Sequence, residues 1–187
     1  MKDFFRRQLV YYAQAHRDHV NGVMHIIGNP IIFIGVVVPL CQVPVMVLGV
    51  QVSLAPLLVI PALLLWTIWD VALGLAIVAA SIPLLFIATT IASNTSVVWA
   101  WIISVTLFVL GWVLQIVGHQ VFEGQRPTLL DNPVQMLISP MYIFAKLFIA
   151  LGLRPDLAAI LQESSQQLPV GSPLYSSEGR ADIGQGP

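Results

Sequence analysis

The residues best suited to chemistry are the four histidines, which fall in two short clusters. The first holds His16, His19 and His25, with Tyr12, Asn21 and Gly28 interspersed; the second holds His119 and Glu123, with Gln115 and Gly118 just ahead. His119 and Glu123 are four apart, so one helical face presents an imidazole and a carboxylate together. Such a pair supplies a nitrogen and an oxygen to a metal, or an imidazole and the carboxylate that orients it. Gln115 lies one turn earlier on that face, and Gly118 leaves room for another segment to come close. His16 and His25 are nine residues apart, about 900° around an unbroken helix, and would face opposite ways. A break near Asn21-Gly22 would turn both toward one point, because glycine bends at little cost. Asn21, four before His25, would then be placed to orient its ring. Each cluster alone has a plainer explanation, as solvated or capping side chains at a helix end with Arg126 balancing Glu123. Together, three imidazoles and a carboxylate suit iron, zinc or copper, and an open coordination position would make the site catalytic.

What must position these residues is a membrane-spanning framework. Charged residues make up 9% of the 187-residue chain and hydrophobic ones 57%, and mean hydropathy is +0.86. A water-soluble domain carries about 25% charged residues. Between His25 and His119 the only acid or base is Asp70, apart from the lone Cys41; every other Asp, Glu, Lys and Arg lies before residue 19 or after residue 122. Four apolar segments follow, at 31–50, 53–69, 71–92 and 97–117, spanning roughly 25–33 Å against a hydrocarbon core of about 30 Å. Prolines at 39, 44 and 83 are placed to kink the first and third, and Pro56 and Pro61 to bend the second; a re-entrant pair in place of the first two is the alternative. Trp66 and Trp69 flank Asp70, and Trp99 and Trp101 follow the polar turn at 93–96, as interfacial tryptophans do. Lys2, Arg6, Arg7 and Arg17 precede the first span and Arg126 follows the last, which places both termini, and with them the histidines, on the cytosolic side. The stretch 134–153 reads as an interfacial helix, because Lys146 is costly inside a bilayer. Residues 1–163 form a single membrane domain, and 164–187 a disordered tail. The expected fold class is therefore an all-α integral membrane protein with four transmembrane helices plus interfacial helices. The N-terminus lacks a cleavable signal sequence. A net charge of −1 with no basic run leaves no role for nucleic acid.

The two clusters, Tyr12…His16-x4-Asn21-x3-His25-x2-Gly28-x-Pro30 and Trp112-x2-Gln115-x2-Gly118-His119-x3-Glu123-x3-Pro127, resemble the Mpo1-like (DUF962) family. The resemblance runs from about residue 8 to 156 and takes in Asp131-Asn132-Pro133 and Gly152-x-Arg154-Pro155. It implies a polytopic membrane enzyme, a dioxygenase that uses Fe2+ and O2 to α-oxidise 2-hydroxy fatty acids to acids one carbon shorter, in lipid or long-chain-base degradation. It implies metal ligation by His16, His25 and His119, with Glu123 as a fourth ligand or orienter; Asn21 and Gln115 are placed in support by their spacing. His19 matches no motif position. Thr128 stands where an alanine is more usual and Lys146 where an acid is. Either a bacterial inner membrane or the endoplasmic reticulum fits. Two other readings remain at this level: a haem-binding electron-transfer protein, since paired histidines near helix ends also hold haem, and a non-catalytic transporter or scaffold. Thin polarity within the spans argues against transport.

Overall fold

Asp18 decides where the first long helix begins. Its carboxylate accepts from the amides of Val20 and Asn21 at 2.7 and 3.0 Å, an N-cap that starts helix α2 at His19. The preceding helix α1, Asp3–Ala15, stops at His16. The break thus falls at residues 16–18, not at Asn21-Gly22, which lie in the first turn of α2. The structure, a computed structural model, describes residues 1–124 and 132–166. Arg126, Pro127, Thr128 and Asp131 lie outside the described residues, as do residues 167–187 of the expected tail.

Helix α2, His19–Gln42, continues through Pro30 and Pro39 and ends well before residue 50. Proline restrains the residue before it to extended backbone, and Val43, with φ −87° and ψ 109°, stops the helix ahead of Pro44. The β-branched run that follows pairs as an antiparallel hairpin, β1 Pro44–Val47 and β2 Val50–Ser53. Leu48 and Gly49 both have positive φ, which the tight hairpin turn requires. The end of the expected first span is therefore this hairpin, with Gln51 on its second strand. Helix α3 covers Leu54–Trp69, α4 Val71–Asn94 and α5 Val97–Val117, extended by a π-helical turn at Gly118–Glu123. Helices α6, Gln135–Ala150, and α7, Pro155–Gln166, are bent by 113° against each other. Helix α7 thus includes the first residues of the expected tail. Among the described residues three helices, α2, α4 and α5 with its extension, are long and apolar enough to cross a membrane, and a fourth crossing is reached if the bent α6–α7 pair counts as one. Helix α3, at 16 residues, is shorter.

Two apolar clusters hold the bundle. One joins Phe5, Leu9 and Tyr12 of α1 to Trp66, Trp69, Leu73, Met141 and Leu157. Trp66 and Trp69 are therefore core residues: the Trp66 indole donates to Leu137 O at 2.8 Å, and Trp69 stacks on Phe5. Trp99 and Trp101 are exposed. The other cluster packs Val37, Val38, Ala55, Val59, Ala88 and Ala100 at the opposite end. Asp70 caps α4 through Leu73 N and accepts two hydrogen bonds from Arg154, each 3.0 Å, so α7 is tied to the α3–α4 corner. Burial works against the Asp70 charge, yet Arg154 holds its carboxyl below the ordinary value.

Helix α2 packs most extensively on α5. A Cβ at Gly35 would lie 2.9 Å from Phe108 N, and one at Gly111 only 3.0 Å from Gly28 O. The Ser104 hydroxyl donates to Gly35 O across the same seam. Gly35→Ala is therefore expected to cost about 1–3 kcal/mol by forcing two backbones apart. Gly22→Ala, where the nearest atom is Lys146 Nζ at 3.9 Å, is expected to be neutral or stabilising by up to about 1 kcal/mol. Thermal melts of the purified variants in one detergent compare the two; equal losses would show that the seam is not tight.

Candidate metal centre

The α1–α2 break delivers His16, α2 delivers His25, and the π-helical turn delivers His119. All three are buried. Their rings are mutually close to perpendicular, with centroids 4.6 to 5.1 Å apart. Their ligand-capable nitrogens lie within 4.8 Å of one another, and His25 Nε2 and His119 Nε2 are 3.2 Å apart. His19 is exposed and outside this group.

Hydrogen-bond partners decide which nitrogens face inward with a lone pair. His16 Nδ1 is 2.8 Å from Tyr12 O, and a carbonyl only accepts, so Nδ1 carries the hydrogen. His16 Nε2 is then a bare acceptor, and it is buried with no partner. His119 Nδ1 donates to Glu123 Oε2 at 3.2 Å, which again frees Nε2. Glu123 Oε1 accepts from Asp18 N at 3.3 Å, tying the two histidine-bearing turns together. His25 Nδ1 faces two hydroxyls, Tyr12 Oη and Ser139 Oγ, each at 3.4 Å. A hydroxyl both donates and accepts, so this pair serves either tautomer of His25. With His119 Nδ1 committed to Glu123, the short Nε2–Nε2 contact is satisfied by a hydrogen on His25 Nε2, or by a cation in its place. Three converging imidazoles, one with an orphaned buried lone pair, fit a divalent metal ion.

Burial, followed by the charges of the neighbouring His25 and His119, pushes the His16 imidazole well below its usual range. His16 is therefore neutral and able to ligate at physiological pH. Burial also pushes the Tyr12 phenol upward, so it stays protonated and can donate to Ser139 Oγ, 2.8 Å away. The Tyr12 ring lies flat on His16, with centroids 3.6 Å apart.

Other residues flagged by the sequence are placed differently. Asn21 makes no hydrogen bond to His25; its amide is fully buried against Gly118, where a Cβ would overlap it, and lacks a partner. What Gly118 admits is thus the Asn21 side chain. Gln115 acts at one remove: its Nε2 donates to Asn29 Oδ1 at 2.7 Å, and Asn29 donates to Ser139 Oγ at 2.8 Å. Arg17 bonds Gln14 O on the outer side. Asn29, Ser139 and Tyr142, whose hydroxyl donates to His16 O at 3.0 Å, were not singled out by the sequence reading. Spacing gives no signal for Ser139, 114 residues from the His25 it faces. Tyr12 was legible as the residue one turn before His16.

The histidines close one end of a cavity of about 620 Å³, lined mainly by apolar side chains of α2, α3, α4 and α6. On the other side of Glu123 lies a smaller polar cavity of about 320 Å³, bordered by Gln14, Arg17 and Asp18.

Glu123→Gln is expected to weaken metal binding about 10–100-fold, as loss of a ligand's carboxylate partner does, and His16→Ala to weaken it further. His19→Ala should leave it unchanged; chelator competition on purified protein measures all three. Unfolded His16 protonates near pH 6.5 while the folded residue does not, so the metal-free protein loses stability as pH falls below about 6.5. His16→Gln should flatten that loss in melts taken from about pH 7 to 5.

A family profile described as "2-hydroxy-palmitic acid dioxygenase Mpo1-like" matches residues 2–150. The chain is also 47% identical over 57 residues to the 2-hydroxy-palmitic acid dioxygenase MPO1 of Saccharomyces cerevisiae, a stretch covering 30% of this chain and 33% of that protein. The aligned part is thus about a third of the relative's length. No solved structure matches the chain. By a profile that covers most of its length, including all three clustered histidines, the chain belongs to the Mpo1-like family.

Proposed function

We propose that this protein is an Fe2+-dependent dioxygenase that α-oxidises 2-hydroxy fatty acids, within lipid or long-chain-base degradation. The observation that carries the reading is three inward-facing imidazoles at the head of an apolar cavity, within a helical membrane protein. The overall change balances as R–CH(OH)–COOH plus O2 giving R–COOH, CO2 and water. The C1–C2 bond breaks, and the hydroxyl-bearing carbon becomes the new carboxyl.

His16, His25 and His119 would hold the metal. A bound ferrous ion supplies a Lewis acid for the hydroxy-acid head and an electron source for dioxygen. Around it the chain's own groups do defined work. Tyr12 O fixes the His16 tautomer, and Glu123 fixes that of His119 and supports its basicity. Tyr12 and Ser139 steady His25 through hydroxyls that reverse direction when its proton moves from Nε2 to Nδ1. The apolar cavity walls exclude water from the reacting end and take the alkyl chain.

Charge distribution supports a cytosolic site. Lys2, Arg6, Arg7 and Arg17 belong to the histidine end, where Arg154 also lies, whereas the hairpin and the α4–α5 turn carry no charge. The 3.2 Å separation of His25 Nε2 and His119 Nε2 leaves no space for a macrocycle between them, which speaks against the haem reading.

The test incubates purified protein with Fe2+, O2 and 2-hydroxypalmitate and follows pentadecanoate. His16→Ala, His25→Ala and His119→Ala should each lose at least about 100-fold in rate, more than loss of a ligand's outer partner costs. His19→Ala should retain activity. Full activity in any of the three would end the proposal, and so would a Soret band in active protein.

A further inference from the structure

The cavity has a far end as well as a head. On α2 its lining runs from His25 to Leu40 along one side of the helix. Fifteen residues of helix rise about 22 Å. Four of the lining side chains, Phe33, Val37, Leu40 and Val59, also belong to the apolar cluster that packs the ends of α2, α3 and α4 remote from the histidines; on α2, Val37 and Leu40 lie about one and two turns beyond Phe33. Val37 is 2% exposed and Val59 9%. Where cavity wall and packed core are the same residues, the cavity stops.

An extended alkyl chain with C–C bonds of about 1.5 Å advances about 1.25 Å per carbon. A depth of about 22 Å therefore accommodates about 16–18 carbons between the imidazoles and that floor. The volume of about 620 Å³ lies in the range of sites that enclose most of a ligand. One side is open: Ile26, Leu58, Met136 and Leu147 line the cavity and are exposed. Lipid therefore competes for the tail, and simple burial of methylenes does not favour one length over another. Packing does, since a short chain leaves the floor without contacts and a long one must turn out sideways.

We propose that Val37, Leu40 and Val59 are the specificity-determining floor that measures the acyl chain of the substrate. The inference rests on the hydroxy-acid reading above and adds to it the residues that set length.

The test separates length selection from turnover. Saturated, unhydroxylated fatty acids of graded length compete with a fluorescent fatty acid for metal-free protein in nanodiscs. Wild type should bind best at about 16–18 carbons. Val59→Phe, which fills the floor, should move the optimum shorter by about three carbons, the reach of the added ring at about 1.25 Å per carbon. Leu40→Ala, which lowers it, should move the optimum longer. If Val59→Phe does not fold, Leu40→Ala and Val37→Ala still give a direction. A folded floor variant whose optimum stays in place overturns the proposal. Oxidation of 2-hydroxy acids is followed in parallel. Shifted binding optima without oxidation would sink the reaction and keep the floor; oxidation with unshifted optima would do the reverse.

Discussion

The close approach of α2 and α5 is the constraint on which the rest depends. Lipid tails are as apolar as leucine, so helices in a membrane gain little by hiding apolar surface from them. They associate by fitting together, and fit needs small residues at the seam. Gly28 and Gly35 on α2 and Ser104 and Gly111 on α5 provide it, with backbone meeting backbone. His25 lies one turn from Gly28, and His119 lies two turns beyond Gly111. The 3.2 Å between their Nε2 atoms is thus a consequence of the seam, transmitted along two rigid helices. The third imidazole arrives by a different route, on the turn before α2, and is held there by Tyr12, Tyr142 and the Asp18 cap.

Burying three imidazoles and a glutamate in an apolar protein is unfavourable unless each polar atom finds a partner. The outer atoms do: His16 Nδ1, His119 Nδ1, both Glu123 oxygens and His25 Nδ1 all face a donor or acceptor. Of the inner atoms, His25 Nε2 and His119 Nε2 face only each other, and His16 Nε2 has nothing. A network complete on its outside and deficient at its centre concentrates its unmet hydrogen-bonding capacity at one point. That is the physical signature of a ligand site, and it is sharper than the presence of histidines as such.

Much of this was legible in the sequence, because composition in a membrane protein is strongly constrained. The absence of charge between residues 25 and 119 except at Asp70 marked the helical framework, and Asp70 itself marked a corner. The i, i+4 relation of His119 and Glu123 survives as a direct contact even though the turn widens to π-helical form. The 900° argument correctly required a break between His16 and His25. It placed that break at Asn21-Gly22, by glycine flexibility, when the capping carboxylate of Asp18 settles it earlier. The hairpin was missed because a run of Val and Met is equally apolar as helix or strand, and only Pro44 and Gly49 distinguish the two. Ser139 was out of reach of spacing arguments, since it joins the site by packing across more than 100 residues; Asn29, four after His25 on the same helix face, was within reach and was passed over. Arg154 was read as a motif residue, and its work is to pin α7 to Asp70.

Polarity along the bundle runs in one direction, and the site exploits it. Charged side chains, capping carboxylates and the histidines gather at one end; the other end is a hairpin and a packed apolar cluster. Two separate cavities of opposite character lie near the histidines: a polar one bordered by Arg17, Asp18 and Glu123, and an apolar one descending along α2. A molecule with an acidic head and a long hydrocarbon tail matches that gradient without being removed from the membrane. Its head reaches the imidazoles at the charged end of the bundle, and its tail never leaves apolar surroundings. In the proposed reaction, binding therefore demands no transfer of the tail between water and an apolar phase. Positioning, which the glycine seam supplies, is then what the fold chiefly contributes.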